Sequence, residues 1–461
     1  MGATTDPSPR RRGRRILIAG LSLLVVVALA VGGFLIWDRY FRMPDAPVWT
    51  AGQPAPITAT QHLKAVSSDA PVPTPSGVAA ALRRGLKDPA LGELTGMVSD
   101  PLTGKVLWTL GEDKPRTPAS NAKILTASAV LLEMKHDARL QTKVVVTDDG
   151  QAILVGAGDP TLTAQPADAD TFYTSAPRIA DLADQIKKSG VEVTSVAVAP
   201  SSITGPSMEK SWSKADIAGG DIAPLTSLML DAGRKDPMNE YSPRSDRSEL
   251  DAGAALAAAL DLDTDVEEKT PPADAKQIAV VESAPLDTRV GDMMRFSDNV
   301  LAEQLAMELS VSMGGPESIS GGASAVLKVL EKHGFDVDGV TLRDSSGLST
   351  GDRVPAKVLD ELVSAAAGDK QPELRPLLDT FPVAGGTGTL ADRFDPDKNP
   401  AAGWVRAKTG TLTGVSSLTG IVQTVDGRVL AFALMSGGTS PTDARPALDA
   451  LAGTLRECGC R

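Results

Sequence analysis

Cysteine and histidine are almost missing from this 461-residue chain, which has two of the first and three of the second. His62, His136 and His333 are scattered, and neither HExxH nor CxxC occurs, so no metal set is present and no cofactor is expected. A Ser-His-Asp hydrolase is disfavoured on the same ground, because none of the three histidines has a motif-like setting. The cysteines, Cys458 and Cys460, are one residue apart near the C-terminus. In an oxidising compartment they could close a short, strained ring, or they could be a terminal tag without catalytic consequence. Aromatics make up only 3% of residues, which fits a globular chain rich in Ala and Gly. Positive charge is also in deficit: the net charge of −12 argues against a nucleic-acid partner.

One long hydrophobic run stands out. Residues 1–15 carry Arg10, Arg11, Arg12, Arg14 and Arg15 against the single acid Asp6, and the 22 residues from Ile16 to Trp37 then contain neither charge nor proline. As a helix this run reaches about 33 Å at 1.5 Å per residue, enough to span a bilayer. Trp37, Tyr40 and Phe41 with Arg39 and Arg42 look like an interfacial anchor rather than a cleavage site, and the arginine cluster places the N-terminus inside. Residues 16–37 are therefore read as an uncleaved single-pass anchor in the cell membrane, with everything beyond about residue 42 extracytoplasmic. Residues 38–76, with prolines at 44, 47, 54, 56, 71, 73 and 75, read as a stiff spacer.

The remaining length calls for two or more domains. Near the start, 94–98 and 105–110 read as a β-hairpin. Near the end, 403–410, 417–425 and 429–435 read as strands, the last two joined at Asp426-Gly427, with a closing helix at 446–456. Strands at both ends suggest one antiparallel sheet built from both halves of the chain. Between them, 142–283 mixes strand-like pieces (143–146, 193–198) with a helix at 179–188. Helical signals dominate 285–367, at 290–296, 300–310, 323–333 and 356–366.

The chemistry concentrates in Pro118-Ala-Ser-Asn-Ala-Lys123, where Ser120 and Lys123 stand three apart at the head of a Gly- and Pro-free run. On a helix that spacing brings the hydroxyl to the amine, and a buried lysine can take a serine's proton. Ser207/Lys210 and Ser211/Lys214 have the same spacing but sit among Ser, Gly and Pro, without the long helix-like run that follows Ser120. Ser297-Asp-Asn299 could relay a proton through its serine and hold a lysine and a substrate carbonyl through its asparagine. Lys408-Thr-Gly410 could receive a carboxylate while glycine lets the substrate backbone approach. Each tripeptide alone could be a helix cap or a strand end; together and in this order they form the S-x-x-K, S-x-N, K-T-G set of penicillin-binding proteins and class A β-lactamases.

Further blocks, 156–162 (GAGDPTL), 344–349 (DSSGLS), 381–390 (FPVAGGTGTL) and 406–417 (RAKTGTLTGVSS), resemble the D-alanyl-D-alanine carboxypeptidase/endopeptidase family of class C, low-molecular-mass penicillin-binding proteins. The likeness runs from about residue 77 to the C-terminus. It implies a membrane-anchored serine DD-peptidase on an α+β penicillin-recognising fold, an antiparallel sheet between helical layers. The catalytic domain would be 77–141 with 284–461, and 142–283 an inserted domain. Its substrates would be peptidoglycan stem peptides, and β-lactam antibiotics would acylate it. The resemblance makes Ser120 the nucleophile, Lys123 its base, Ser297 the proton relay, Asn299 a grip on the peptide, and Lys408, Thr409 and Gly410 the carboxylate site. Ser120 and Thr411 would supply oxyanion N–H groups, and Asp159 would face the stem's dibasic side chain. Ser345 replaces a usual glycine, and Thr350 stands where relatives often carry an arginine, for which Arg353 could substitute. A β-lactamase or esterase on the same fold, and a non-catalytic wall-binding relative, are the competing readings.

Overall fold

The computed structural model describes residues 69–460. The expected basic tail (1–15), membrane anchor (16–37) and spacer up to residue 68 lie outside the described residues; among those described, no helix is long and apolar enough to cross a membrane.

Helix α1 (Pro75–Leu82) starts on a proline behind the N-cap Thr74. Strands β1 (Thr95–Asp100) and β2 (Lys105–Leu110) follow, their turn closed by Asp100, which accepts from Leu102 N and Thr103 Oγ1. Helix α2 (Ala122–Glu133) is the Gly- and Pro-free run, and it is buried almost throughout. The middle of the chain supplies β3 (Gln141–Val146), β4 (Gln151–Val155), α3 (Ile179–Ser189), β5 (Ser195–Val198), α4 (Ser248–Ala259), β6 (Glu267–Glu268) and β7 (Lys276–Glu282). Helices α5 (Leu286–Phe296), α6 (Asn299–Ser312), α7 (Ile319–Lys332) and α8 (Ala356–Ala367) come next. Strands β8 (Val405–Leu412), β9 (Val415–Gln423) and β10 (Val429–Gly437) and helix α9 (Pro441–Glu457) finish the chain.

The two chain ends do form one antiparallel sheet, in the order β2-β1-β10-β9-β8. Its two faces follow from the period of two along a strand. Leu430, Phe432 and Leu434 of β10 pack with residues of α1 and α9, whereas Ala431, Ala433 and Met435 join the helical core of α2 and α5–α8. The alanines leave room for helices to approach that second face. Strand β8 is the outer strand at the site end. Ala384 N bonds Val405 O and Ala407 N bonds Pro382 O, so the 382–384 segment covers the first half of that edge. Residues 409 and 411 have the same parity as Ala407, so their backbone groups face the open second half.

Residues 141–282 contain a second sheet, β6-β5-β4-β3-β7, parallel between β4, β5 and β6 and antiparallel elsewhere. Ile179, Leu182 and Ile186 of α3 and Ala252 and Leu256 of α4 cover one face in a separate apolar cluster with Val144, Leu154 and Val196. Strands β4, β6 and β7 were not anticipated. Gln151 to Val155 is short and follows Asp148, Asp149 and Gly150, and β6 is only two residues long. Cys458 and Cys460 are paired as a disulfide, and Cys460 O accepts from Thr74 N, tying the last residues to the start of α1.

Candidate active site

Ser120 lies not inside α2 but in the tight turn Ala119–Asn121 that precedes it. Ala119 is held at φ +48, in the region that disfavours side chains. Two glycines show what holds it there. A Cβ on Gly347 (φ +82) would stand 1.9 Å from Ala119 O, and one on Gly410 would stand 2.6 Å from Pro118 O. The turn is thus clamped between the 344–349 loop and strand β8, with Ser120 partly exposed.

Lys123, one turn on, is completely buried. Its Nζ lies 3.2 Å from Ser120 Oγ and donates to Asn299 Oδ1 at 2.6 Å and to Ser346 O at 2.7 Å. Burial pushes this amine down to about 8, against the opposing pull of the Asp344, Asp298, Glu303 and Asp352 carboxylates. A minor but far from negligible share of neutral amine therefore exists near neutral pH.

Ser297 terminates α5 in the left-handed conformation, φ +55, which turns its hydroxyl towards β8. Lys408 Nζ donates to Ser297 Oγ at 2.8 Å and to Thr409 O at 2.9 Å. Lys408 is also fully buried; burial and the neighbouring Lys123 hold its pKa well below that of an ordinary lysine. Asn299 opens α6 and spans the cluster, its Nδ2 donating to Asp221 O at 2.9 Å. Thr409 Oγ1 meets Thr389 Oγ1 at 2.8 Å, and Thr411 Oγ1 accepts from Arg445 Nη2 at 3.0 Å. Ser120, Lys123 and Asn299 thus form one hydrogen-bonded group and Ser297, Lys408 and Thr409 another, with Gly410 packed against the Ser120 turn and Thr411 following on β8.

Asp159 does not join them. It is 3% exposed, its Oδ1 accepts from Thr161 N and Thr161 Oγ1, and burial raises its carboxyl. Its second oxygen, Oδ2, is buried without a hydrogen-bond partner. Arg353 is likewise engaged, donating to Thr117 Oγ1, Thr350 O and Asp352 O. The other two Ser-x-x-Lys copies form no such pair, because Lys210 and Lys214 are exposed.

Several residues that the sequence did not single out build the support. Asp298 caps α6 through Leu301 N and receives Arg234 Nη2 and Tyr173 Oη, each at 2.7 Å. Burial opposes its ionisation, but Arg234 and Arg244 hold the carboxyl well below the usual range. Asp344 accepts from Ser346 N, Gly347 N, Ser349 N and Trp212 Nε1, fixing the loop that offers Ser346 O to Lys123. Glu303, one turn after Asn299 and fully buried, accepts from Ser345 N; burial beside Asp344 raises its carboxyl. Ser345 O accepts from Thr126 Oγ1, while the Ser345 hydroxyl is buried without a hydrogen-bond partner. No arginine or tryptophan motif marks Arg234 or Trp212 in the sequence.

The D-Ala-D-Ala carboxypeptidase 3 (S13) family profile matches residues 78–241 and 237–458. Carboxypeptidase DacB of Mycolicibacterium smegmatis is 46% identical over 460 residues, covering 98% of this chain and 99% of the relative. Carboxypeptidase Rv3627c of Mycobacterium tuberculosis is 48% identical over 417 residues, covering 89% of this chain and 90% of the relative. The crystal structure of penicillin binding protein 4 from Haemophilus influenzae has the same fold, with a TM-score of 0.68 at 19% identity over 82% of this chain and 98% of that one. The chain therefore belongs to the D-Ala-D-Ala carboxypeptidase 3 (S13) family and is a serine-type DD-peptidase.

Proposed function

We propose that this carboxypeptidase removes the terminal D-alanine of peptidoglycan stem peptides through an acyl-enzyme on Ser120. One observation carries the assignment: a wholly buried amine, Lys123 Nζ, held 3.2 Å from Ser120 Oγ between Asn299 Oδ1 and Ser346 O. Neutral Lys123 accepts the Ser120 proton as Oγ attacks the scissile carbonyl. The N–H groups of Ser120 and Thr411 receive the developing oxyanion, which suits the open edge of β8. Lys408, Thr409 and Gly410 take the terminal carboxylate, and Ser297, bonded to Lys408, passes a proton to the leaving amine. Asn299 orients the peptide and Lys123 together. Water then hydrolyses the ester and frees Ser120.

Penicillins would acylate the same serine; the H. influenzae protein has been crystallised with a β-lactam. Residues 142–283, with their own sheet and apolar cluster, are read as a domain inserted into a catalytic domain of 77–141 and 284–461. The Arg-flanked apolar run 16–37 supports a single-pass membrane anchor with the catalytic domain outside the cytoplasm.

The test is D-alanine release from a stem pentapeptide by the full chain and by Ser120→Ala and Lys123→Arg. Loss of at least about a thousandfold in kcat/KM for both is expected, since nucleophile and base act as a unit. Retention of activity in Ser120→Ala would contradict the assignment.

A further inference from the structure

Lys408 is poorly placed to be the charge that a free carboxylate meets. It is completely buried, and its Nζ already donates to Ser297 Oγ at 2.8 Å and to Thr409 O at 2.9 Å. Burial and the neighbouring Lys123 work against its charge, while Glu240 favours it. Successive side chains leave opposite faces of β8. Val405 and Ala407 pack in the apolar cluster that holds Leu448 and Leu451 of α9, so Thr409 and Thr411, of the same parity, are turned to the α9 side.

Helix α9 carries an arginine to that side. Arg445, in its second turn, is exposed and donates from Nη2 to Oγ1 of the half-buried Thr411 at 3.0 Å. Thr411 follows Gly410, where an added Cβ would stand 2.6 Å from Pro118 O, at the start of the turn that carries Ser120. The guanidinium charge is not neutralised by a neighbour. Asp449, one turn on, is taken by Arg393, at 3.1 Å from Nε and 2.5 Å from Nη2, and Arg445 has no ion pair among the described residues. The Tyr241 phenol reaches it electrostatically from the 141–282 segment, with Glu240 and Asp221 on the far side of that phenol's own surroundings.

The direction of the Thr411 bond matters. Arginine can only donate, so Thr411 Oγ1 is the acceptor and its own hydrogen points away from Arg445. No acceptor among the described residues takes that hydrogen. A free hydroxyl hydrogen beside the remaining guanidinium N–H groups suits a planar anion with two acceptor oxygens, and a carboxylate is one. A carboxamide would bring its own N–H donors against these donors.

We infer that Arg445 is a specificity residue: its guanidinium, with the Thr411 hydroxyl, binds the free carboxylate at the C-terminus of the stem peptide and selects it over a neutral C-terminus. This deepens, and rests on, the acyl-enzyme reading above. Lys408, Thr409 and Gly410 shape the carboxylate site, and Arg445 supplies its fixed charge from outside the motif.

The experiment compares the full chain with Arg445→Ala and Arg445→Lys on two pentapeptides that differ only at the end, one with the free D-alanine carboxylate and one with its carboxamide. Cleavage is followed for both, and the carboxamide is also titrated as a competitor of penicillin acylation. For Arg445→Ala, kcat/KM for the acid should fall at least about tenfold, mainly through KM, while cleavage of the carboxamide and its competition stay within about twofold of the parent. Arg445→Lys should recover part of the loss on the acid. The ratio between the two peptides is the readout, because a residue that only supports the fold would move both alike. Equal losses on the two peptides, no loss on the acid, or a parent without preference for the acid would each overturn the role of Arg445. A parent that penicillin does not acylate would bring down the acyl-enzyme reading itself, and the role of Arg445 with it.

Discussion

Arg234 and Asp298 form a fully buried ion pair, Nη2 to Oδ2 at 2.7 Å, that ties the 141–282 segment to the turn carrying Ser297 and Asn299. Removing one partner strands the other charge away from water. Arg234→Met should therefore destabilise the protein by about 3–5 kcal/mol and slow acylation, because Asp298 also caps α6. Urea denaturation of the variant would show it. The Asp298 pKa is depressed in the folded protein, so the stabilisation is complete above the unfolded value near 4 and is lost as the pH falls below it. An unchanged midpoint would remove this pair from the account.

The acylation rate should climb with pH towards a plateau above about 8, where Lys123 sheds its proton. At pH 7 about one tenth of this amine is neutral, compared with about four in ten thousand for an unperturbed lysine. The same shift works on stability. Between about 8 and the unfolded value near 10.4, the unfolded lysine binds the proton that the native one has lost, so stability rises with pH there. Stopped-flow acylation by a chromogenic cephalosporin across pH 6–9 is the check; a flat profile would contradict the role of Lys123.

Gly347→Ala should lower stability by about 2 kcal/mol or more and abolish rapid acylation. The added methyl meets Ala119 O, and φ +82 is itself unfavourable for alanine. Acylation by penicillin read beside a thermal melt separates the two losses.

Ser297→Ala should cut D-alanine release by about a hundredfold or more without a comparable loss of folding, since Ser297 is only half-buried and Lys408 Nζ keeps its bond to Thr409 O. Steady-state release from a pentapeptide measures this. Equal effects on stability and turnover would point to a purely structural serine.

Much of the scaffold is legible in the sequence because it is written locally. The alternation in 429–435, the Asp-Gly turn at 426–427 and the Gly-free run after Ser120 each act over a few residues, and they become β10, its hairpin and α2. The motif residues are also local tripeptides, and the fold brings them within hydrogen-bond distance across separations of 111 to 176 residues. What was hidden depends on long-range burial. That Asp159 is buried, with Oδ1 bonded to Thr161, is not readable from the GDPTL block. Arg234, Trp212 and Glu303 acquire meaning only once the 141–282 segment and α6 are packed against the site. The sequence likewise gave no sign that residues 382–384 cover half the edge of β8 and leave the other half open.

The central claim is that Ser120, served by Lys123, is the acylated residue. Intact mass spectrometry after incubation with penicillin tests it most directly, on the full chain beside Ser120→Ala. A single stable penicillin adduct on the parent and none on the variant is the predicted result. An adduct on both proteins, or intact penicillin with no adduct on the parent, would contradict it.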